Sequence, residues 1–485
     1  MSDTHAQTVP FVRGTMLPPE PPPAAETGAV KWLRQNLFSS PLNIALTVLG
    51  VLIVFMVLRA ALPWLMNSVW NADSLGQCRQ IVAEMSGPEA TGACWAVIKA
   101  RWHQFVFGFY PQDLYWRPIL AFGLLLVALT PVLFIGQARK GLWMLVGVAV
   151  FLAVTLAGIG PGATVLVVVA LIVVGLMAVQ AYAPERLFWF TLLFPFLGFW
   201  LLWGGSVWRP IVALLGFVVL GGVYRLLNAQ IGVVLATTAG VVAACLWWML
   251  LQDPVANALN AVIPLGIQGV DSDRFGGFLL AITIGIAAIA CSLPMGILLA
   301  LGRQSDMFLV KTLSVGFIEF IRGVPLITLL FTASLLLKYF LPPNTNFDAI
   351  LRVIIMVTLF AAAYLAEVIR GGLAALPRGQ YEAADALGLD YWKAQQLIIM
   401  PQALKIAIPG IVSTFIGLFK DTTLVSFVGL LDPLKGITQI VRADINWKGI
   451  YWEPYIFVGL IFFIICFGMS RYSMYLERRL KTDHR

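Results

Sequence analysis

Apolar runs, each near the length of a membrane crossing, alternate along this chain with short polar connectors. A bilayer's hydrocarbon core, about 30 Å thick, is crossed by roughly 20 helical residues. The run from Leu42 to Leu58 opens a first crossing over 42–66. From Pro118 to Met249 the chain is apolar almost throughout, broken by Arg139-Lys140, Gly160-Pro161-Gly162, Pro184-Glu185-Arg186, Arg209-Pro210 and Arg225. Those breaks place spans near 118–137, 141–158, 163–182, 187–204, 210–225 and 230–250. A polar connector over 251–275 follows, then spans near 276–301, 312–338, 348–369, 404–426 and 454–473. The pattern predicts an all-α, polytopic transmembrane helical bundle of about twelve spans.

The polar segments set the expected topology. Residues 1–41 are Pro-rich at the start and read as a disordered tail. Lys31 and Arg34 precede the first span and put that tail in the cytoplasm. Residues 67–117 then lie outside, and so does the 251–275 connector. Arg139, Lys140, Arg186, Arg225, the Arg303–Lys311 connector and the basic tail over 476–485 fall inside; only Arg209 falls outside. Both termini are expected in the cytoplasm. The outer stretch carries Cys78 and Cys94. A disulfide persists outside the cytoplasm of a bacterium, and the expectation is that the two are joined; the alternative is two free thiols. Cys245, Cys291 and Cys466 lie in apolar runs and read as small buried hydrophobes.

One cytoplasmic connector, Glu382 to Pro401, differs from the rest in being polar and helix-prone. Glu382 and Asp385 stand three apart and share a helical face. Gly388 frees the backbone for a turn, and Asp390 is placed to cap a second helix. Ile398, Met400 and Pro401 close the unit where the next apolar run begins. Charges also occur within the apolar runs. Glu319 and Arg322, three apart, are spaced to pair on one face, beside a helix break implied by Gly323 and Pro325. Lys420 and Asp421, followed by Thr422 and Thr423, lie within the run from Leu404 to Val428. Ionisable groups at membrane depth face a bundle interior or a watery cavity and are functional candidates. An amino acid presents a carboxylate and an ammonium, which Lys420 and Asp421 could match if Gly417 allows a local break. The competing reading has Lys420 paired with Glu319 or Glu367.

Composition narrows the class. The 485 residues are 60% hydrophobic and 12% charged, against about 25% charged in soluble domains. This is an integral membrane protein. Its formal charge of +8 therefore serves orientation in the bilayer, and nucleic acid is not an expected partner. His5, His103 and His484 are scattered, and no Cys/His spacing forms a metal site. No G-x-x-x-x-G-K-[ST] loop occurs, so nucleotide hydrolysis would fall to another chain.

The series Glu382-Ala383-Ala384, three residues, Gly388, nine residues, Ile398-x-Met400-Pro401 resembles the cytoplasmic coupling loop of binding-protein-dependent ABC importer permeases, with Met400 where leucine is usual. Glu319-x-x-Arg322-Gly323-x-Pro325, Ala366-Glu367-x-x-Arg370-Gly371-Gly372, Pro377-x-Gly379-Gln380, Pro401-Gln402-Ala403 and Lys420-Asp421-Thr422 resemble the polar amino-acid branch. The resemblance covers Gly276 to the C-terminus. It implies a five-helix permease core over 276–475 with a coupling loop over 376–401. The long N-terminus and the cysteine-bearing loop look like the larger permease subunit of general L-amino-acid and glutamate/aspartate importers. Leu142 to Arg225 departs from the pattern by adding spans.

The resemblance implies a non-catalytic permease subunit for polar or charged L-amino acids in a bacterial inner membrane. It implies three kinds of protein partner: ABC ATPase subunits that bind ATP and magnesium, a second permease chain in a heterodimer, and a periplasmic amino-acid-binding protein. No cofactor is expected in this chain. Glu382, Ala383, Ala384, Gly388, Ile398 and Pro401 are the expected contacts to the ATPase. Lys420, Asp421, Thr422, Glu319, Arg322 and Glu367 are the candidates for the substrate pathway. The main rival is an ion- or proton-coupled secondary transporter, which often carries inverted repeats; no convincing repeat is present. A membrane enzyme finds no support in any nucleophile–base or metal-ligand set.

Overall fold

In a computed structural model the chain is described over residues 28–480, apart from 135, 161, 337, 338 and 340–347. Most of the predicted tail, with His5, and the end of the basic tail lie outside the described residues. The chain divides into two compact units, Met1–Ala96 and Val97–Arg485.

The first unit holds a short helix, α1 (Gly28–Asn36), and one membrane-length helix, α2 (Pro41–Met66). Ser40 caps α2 by accepting from the Asn43 amide at 3.2 Å, and Pro41 occupies the first turn, where its missing N–H costs nothing. Its 26 residues span about 39 Å, and none is buried, so its apolar surface is presented on every side. The stretch read as an outer loop contains α3 (Leu75–Ser86), capped by Ser74. Cys78 of α3 is joined to Cys94 by a disulfide with a Cα–Cα distance of 5.9 Å. Trp70 stacks on Trp95 at 5.7 Å beside it, and Gly92 is pressed against Asn67 and Val82 with no room for a Cβ.

Among the described residues, eleven helices are long and apolar enough to cross a membrane, or twelve if one bent pair counts as a span. After α4 (Ala96–Phe107), the second unit continues with α5 (Trp116–Leu133), α6 (Ala138–Ile159), α7 (Ala163–Tyr182) and α8 (Leu187–Trp203). Next come α9 (Trp208–Val233) and α10 (Leu235–Val262), separated where Gly232 takes φ +80°. The connector expected from residue 251 starts later, because α10 runs to Val262 with Asp253 and Pro254 in its helical body.

The remaining helices form the second half: α11 (Gly277–Gln304), α12 (Phe308–Gly323), α13 (Leu326–Phe331) and α14 (Ala349–Ala374). They continue with α15 (Arg378–Ala386), α16 (Tyr391–Val428), α17 (Pro433–Ala443) and α18 (Trp452–Leu480). One sequence expectation is corrected here. Residues 312–338 do not form a straight span: α12 and the following helix meet at 101°. Pro325 lacks an amide proton and drives Val324 to an extended conformation (φ −108°, ψ 131°), which ends α12.

Small residues let α11 and α14 approach closely. A Cβ on Gly296 would sit 2.7 Å from the Leu365 Cβ, and Ala288, Ser292 and Ala300 are fully buried at four-residue spacing with it. The α5–α8 helices join this core at both ends. At the end bearing the Glu382–Pro401 loop (the loop end), the Tyr472 hydroxyl donates to the Leu133 carbonyl at 2.6 Å, and Gln137 donates to the Tyr475 hydroxyl at 2.8 Å. At the far end, Trp203 stacks on Phe275 at 4.5 Å, and the buried Arg117 donates to the Gln268 carbonyl at 2.5 Å. A two-residue antiparallel pairing of β1 (Gly205–Ser206) with β2 (Gly266–Ile267) closes the same end.

Candidate functional site

The loop between α14 and α16 is built by helix-end chemistry. At the end of α15 the Gly388 amide donates to the Asp385 carbonyl at 2.9 Å and the Leu389 amide to the Ala384 carbonyl at 3.2 Å. This is the Schellman arrangement, which requires a left-handed residue after the helix, and Gly388 supplies it at φ +67°. A Cβ there would meet open space, so glycine is needed for its conformation and not for a close approach. Asp390 then caps the next helix by accepting from the Lys393 amide at 2.9 Å and pairing with the Lys393 ammonium at 3.2 Å. Those bonds to Lys393 hold its carboxyl below the usual range.

The predicted coupling residues take different positions. Glu382, Ala383, Gly388 and Pro401 are exposed, Ala384 is buried, and Ile398 is half-buried. The unit does not end at Pro401, as expected, but runs on as one helix from Tyr391 to Val428. A wider π-turn over Gln395–Ile399 accommodates the bond that Pro401 cannot make. Two quoted motifs meet here: the Gln402 amide donates to the Gln380 side chain at 2.8 Å, tying α15 to α16. Glu382 and Asp385 are both exposed on the loop surface, but they are not alone there. Leu387, Tyr391, Trp392 and Leu397 are 71, 54, 66 and 64% exposed, so large apolar side chains stand on the loop surface as well.

The six pathway candidates separate into two clusters. Glu319, Arg322 and Glu367 gather at the loop end around Arg303. The Arg303 Nη1 lies 2.9 Å from Glu319 Oε1 and 2.6 Å from Glu367 Oε1. The other Glu367 oxygen is 3.0 Å from Arg370 and 3.7 Å from Arg322. Arg322 also lies over the Tyr364 ring at 5.6 Å. Glu319 and Arg322 therefore do not pair with each other, as their spacing had suggested. The bend after Gly323 lays α12 across α11 and α14, so each charge finds a partner on a neighbouring helix. Arg303, the shared donor, stands in the sequence only as the start of a connector.

Lys420, Asp421 and Thr422 lie about 30 Å from Met400 along α16. Lys420 does not pair with Glu319 or Glu367, which sit at the opposite end. Lys420 is exposed and Asp421 half-buried, and neither makes an ion pair among the described residues. Thr422 is fully buried, its hydroxyl donating to the Phe419 carbonyl at 2.7 Å, so in this conformation it offers nothing to a cavity. The helix is unbroken through Gly417; it tightens only from Thr422 and turns at Gly429, φ +99°. No group of three metal-binding side chains occurs among the described residues.

The family of binding-protein-dependent transport system inner membrane components matches residues 292–482. A Rhodobacter capsulatus permease protein of a glutamate/glutamine/aspartate/asparagine transport system is 60% identical over 485 residues, 100% of both chains. An Escherichia coli inner membrane amino-acid ABC transporter permease protein is 34% identical over 466 residues, 96% of each chain. The chain belongs to the amino-acid ABC transporter permeases. This permease is thus a multi-pass protein of the bacterial inner membrane, in a family that works with an ATPase and a substrate-binding protein. The R. capsulatus and E. coli relatives match the added helices α5–α10 as well as the core, so the departure noted in the sequence is shared by both. A crystallised amino acid ABC transporter with histidines is 31% identical, covering 42% of this chain and 91% of that one, with TM-score 0.37.

Proposed function

We propose that the permease imports acidic amino acids and their amides, driven by ATP hydrolysed on a partner chain through the Glu382–Pro401 loop. The observation that carries the coupling role is the loop itself. It is a rigid helix–turn–helix with Leu387, Tyr391 and Trp392 exposed, made continuous with the core helix α16. A push on this loop moves α16 directly, with no flexible link between. The substrate class is supported by the relative named for glutamate, glutamine, aspartate and asparagine.

In this reading the loop end faces the cytoplasm, together with both termini, and ATP and magnesium stay on the ATPase. The permease catalyses no covalent step. A second, different permease chain completes the pathway; the bare apolar face of α12, with Phe308, Leu309 and Leu313 at 83, 67 and 65% exposed, is a surface such a chain would cover. The Arg303–Glu367 network closes the loop end, and alternating access opens it when the loop is released. The test is uptake into vesicles containing the permease, its ATPase and its binding protein. The four amino acids should enter only with ATP inside the compartment that faces the loop. Uptake by the permease without ATPase, driven by an ion gradient, would instead establish a secondary transporter.

A further inference from the structure

A cavity of about 460 Å³ opens at the far end, lined by Asp271, Ser272, Asp273, Asp348, Arg352 and the backbone turn at Gly429. Its size is within the roughly 300–1,000 Å³ of small-molecule sites. Three separate segments build it, and each is fixed by its own bonds. The Trp203 indole donates to Ser272 at 2.8 Å and holds the connector. Asp348 caps α14, accepting from the Ile350 and Leu351 amides at 2.9 and 3.0 Å. Gly429 turns the chain with a left-handed backbone.

Arg352 is the unusual member. Its Nη1 donates to the Ser334 carbonyl at 2.8 Å, but its Nε is buried without an acceptor. It makes no ion pair among the described residues, although three carboxylates line the same cavity. A guanidinium that faces no carboxylate partner is suited to bind the carboxylate of a ligand. Asp348 is occupied by its cap, whereas Asp271 and Asp273 are exposed at the rim.

We propose that this cavity is a receiving site for a free α-amino acid, with its carboxylate on Arg352 and its ammonium on Asp271 and Asp273. The proposal rests on the importer reading above. The site recognises the two groups common to all α-amino acids and leaves the side chain toward the open mouth. One such site therefore serves charged and amide side chains alike.

The experiment uses the intact transporter complex without its binding protein, and three probes in equilibrium dialysis. These are L-glutamine, its α-amide, which lacks the carboxylate, and Nα-acetyl-L-glutamine, which lacks the ammonium. Wild type should bind L-glutamine at least tenfold tighter than either analogue. Arg352→Met should lose at least tenfold for L-glutamine and nothing for the α-amide. Asp271→Asn with Asp273→Asn, both at exposed positions, should lose for L-glutamine and not for the acetyl compound. Equal binding of all three probes by wild type would overturn the site, as would unchanged L-glutamine binding in both variants. If the Asn pair weakens docking of the binding protein while L-glutamine binding stays unchanged, the rim serves the protein partner and the proposal is overturned. ATP-driven uptake on the same preparation separates the two levels. L-glutamine transport with no Arg352-dependent binding removes the receiving site alone, whereas no transport of any amino acid removes the importer reading.

Discussion

At the loop end, Glu367 and Glu319 are held by three arginines from α11, α12 and α14, whereas at the far end Lys420, Asp421 and Arg352 make no ion pair among the described residues. The two groups share only α14, which carries Glu367 and Arg370 toward one end and Arg352 toward the other. Self-satisfied charge stabilises one arrangement of helices and resists opening. Unsatisfied charge is costly unless something else meets it. In the proposed importer cycle the loop end would be held shut by this network until the loop moves, and the far end would receive a charged molecule. The difference makes separate demands on mutations at the two ends.

The largest effect is expected from Glu367→Gln. It leaves three guanidinium groups against one carboxylate and neutralises a side chain that is itself only 16% exposed. Losing the charged partner of a hydrogen-bonded group costs about 1–3 kcal/mol for each group left unpaired, so the variant should show a lowered melting temperature and reduced yield of assembled complex. A melting curve equal to wild type would show that the network does not hold the loop end. Next is Cys78→Ser with Cys94→Ser, which opens a link of sequence separation 16. A bridge of this loop length contributes about 3 kcal/mol. Residues 67–95 should become protease-sensitive while melting of the second unit stays unchanged; unaltered resistance would show that the tryptophan pair and Gly92 packing suffice.

Gly388 gives a smaller, more specific effect. A non-glycine residue in left-handed conformation costs roughly 1–2 kcal/mol, which corresponds to a 5- to 30-fold change in population. Gly388→Val should cut substrate-stimulated ATP hydrolysis by about that factor, while Gly388→Asn, which tolerates φ > 0, should keep most of it. Equal loss in both variants would point to a steric role for the bare Cα.

The smallest effect concerns pH. The Asp390 carboxyl titrates below its ordinary 3.8 because the Lys393 amide and ammonium favour the charged form. With the folded value below the unfolded one, the cap is fully present above about pH 4 and lost as pH falls through the lowered value. Asp390→Asn keeps an accepting oxygen and should abolish that acid-side dependence of coupling without changing it at neutral pH. A coupling profile identical to wild type would place the acid limit elsewhere.

Much of this was legible in the chain. Apolar length gave the spans, since helices that satisfy their own backbone are the available way to cross lipid without closing a barrel. The turn at Gly388 and the cap at Asp390 followed from local chemistry that needs no tertiary partner. The charged residues were found, but their pairing was not. Helical spacing suggested Glu319 with Arg322, whereas the bend at Pro325 sends each to another helix. The contact between Gln380 and Gln402 joins two motifs 22 residues apart, and no local rule predicts it. Arg352 reads in the sequence as a terminal charge on an apolar helix; only the cavity beside it suggests a role.

The contrast between the two ends is tested most directly by Lys420→Met and Glu367→Gln in the same reconstituted complex. Each variant is measured for melting temperature, assembly with the ATPase, and ATP-driven uptake. Lys420→Met should melt and assemble as wild type, with basal hydrolysis retained and uptake reduced at least tenfold. Glu367→Gln should lose stability and assembly first. The account is contradicted if Lys420→Met disrupts assembly while Glu367→Gln melts normally and transports at the wild-type rate.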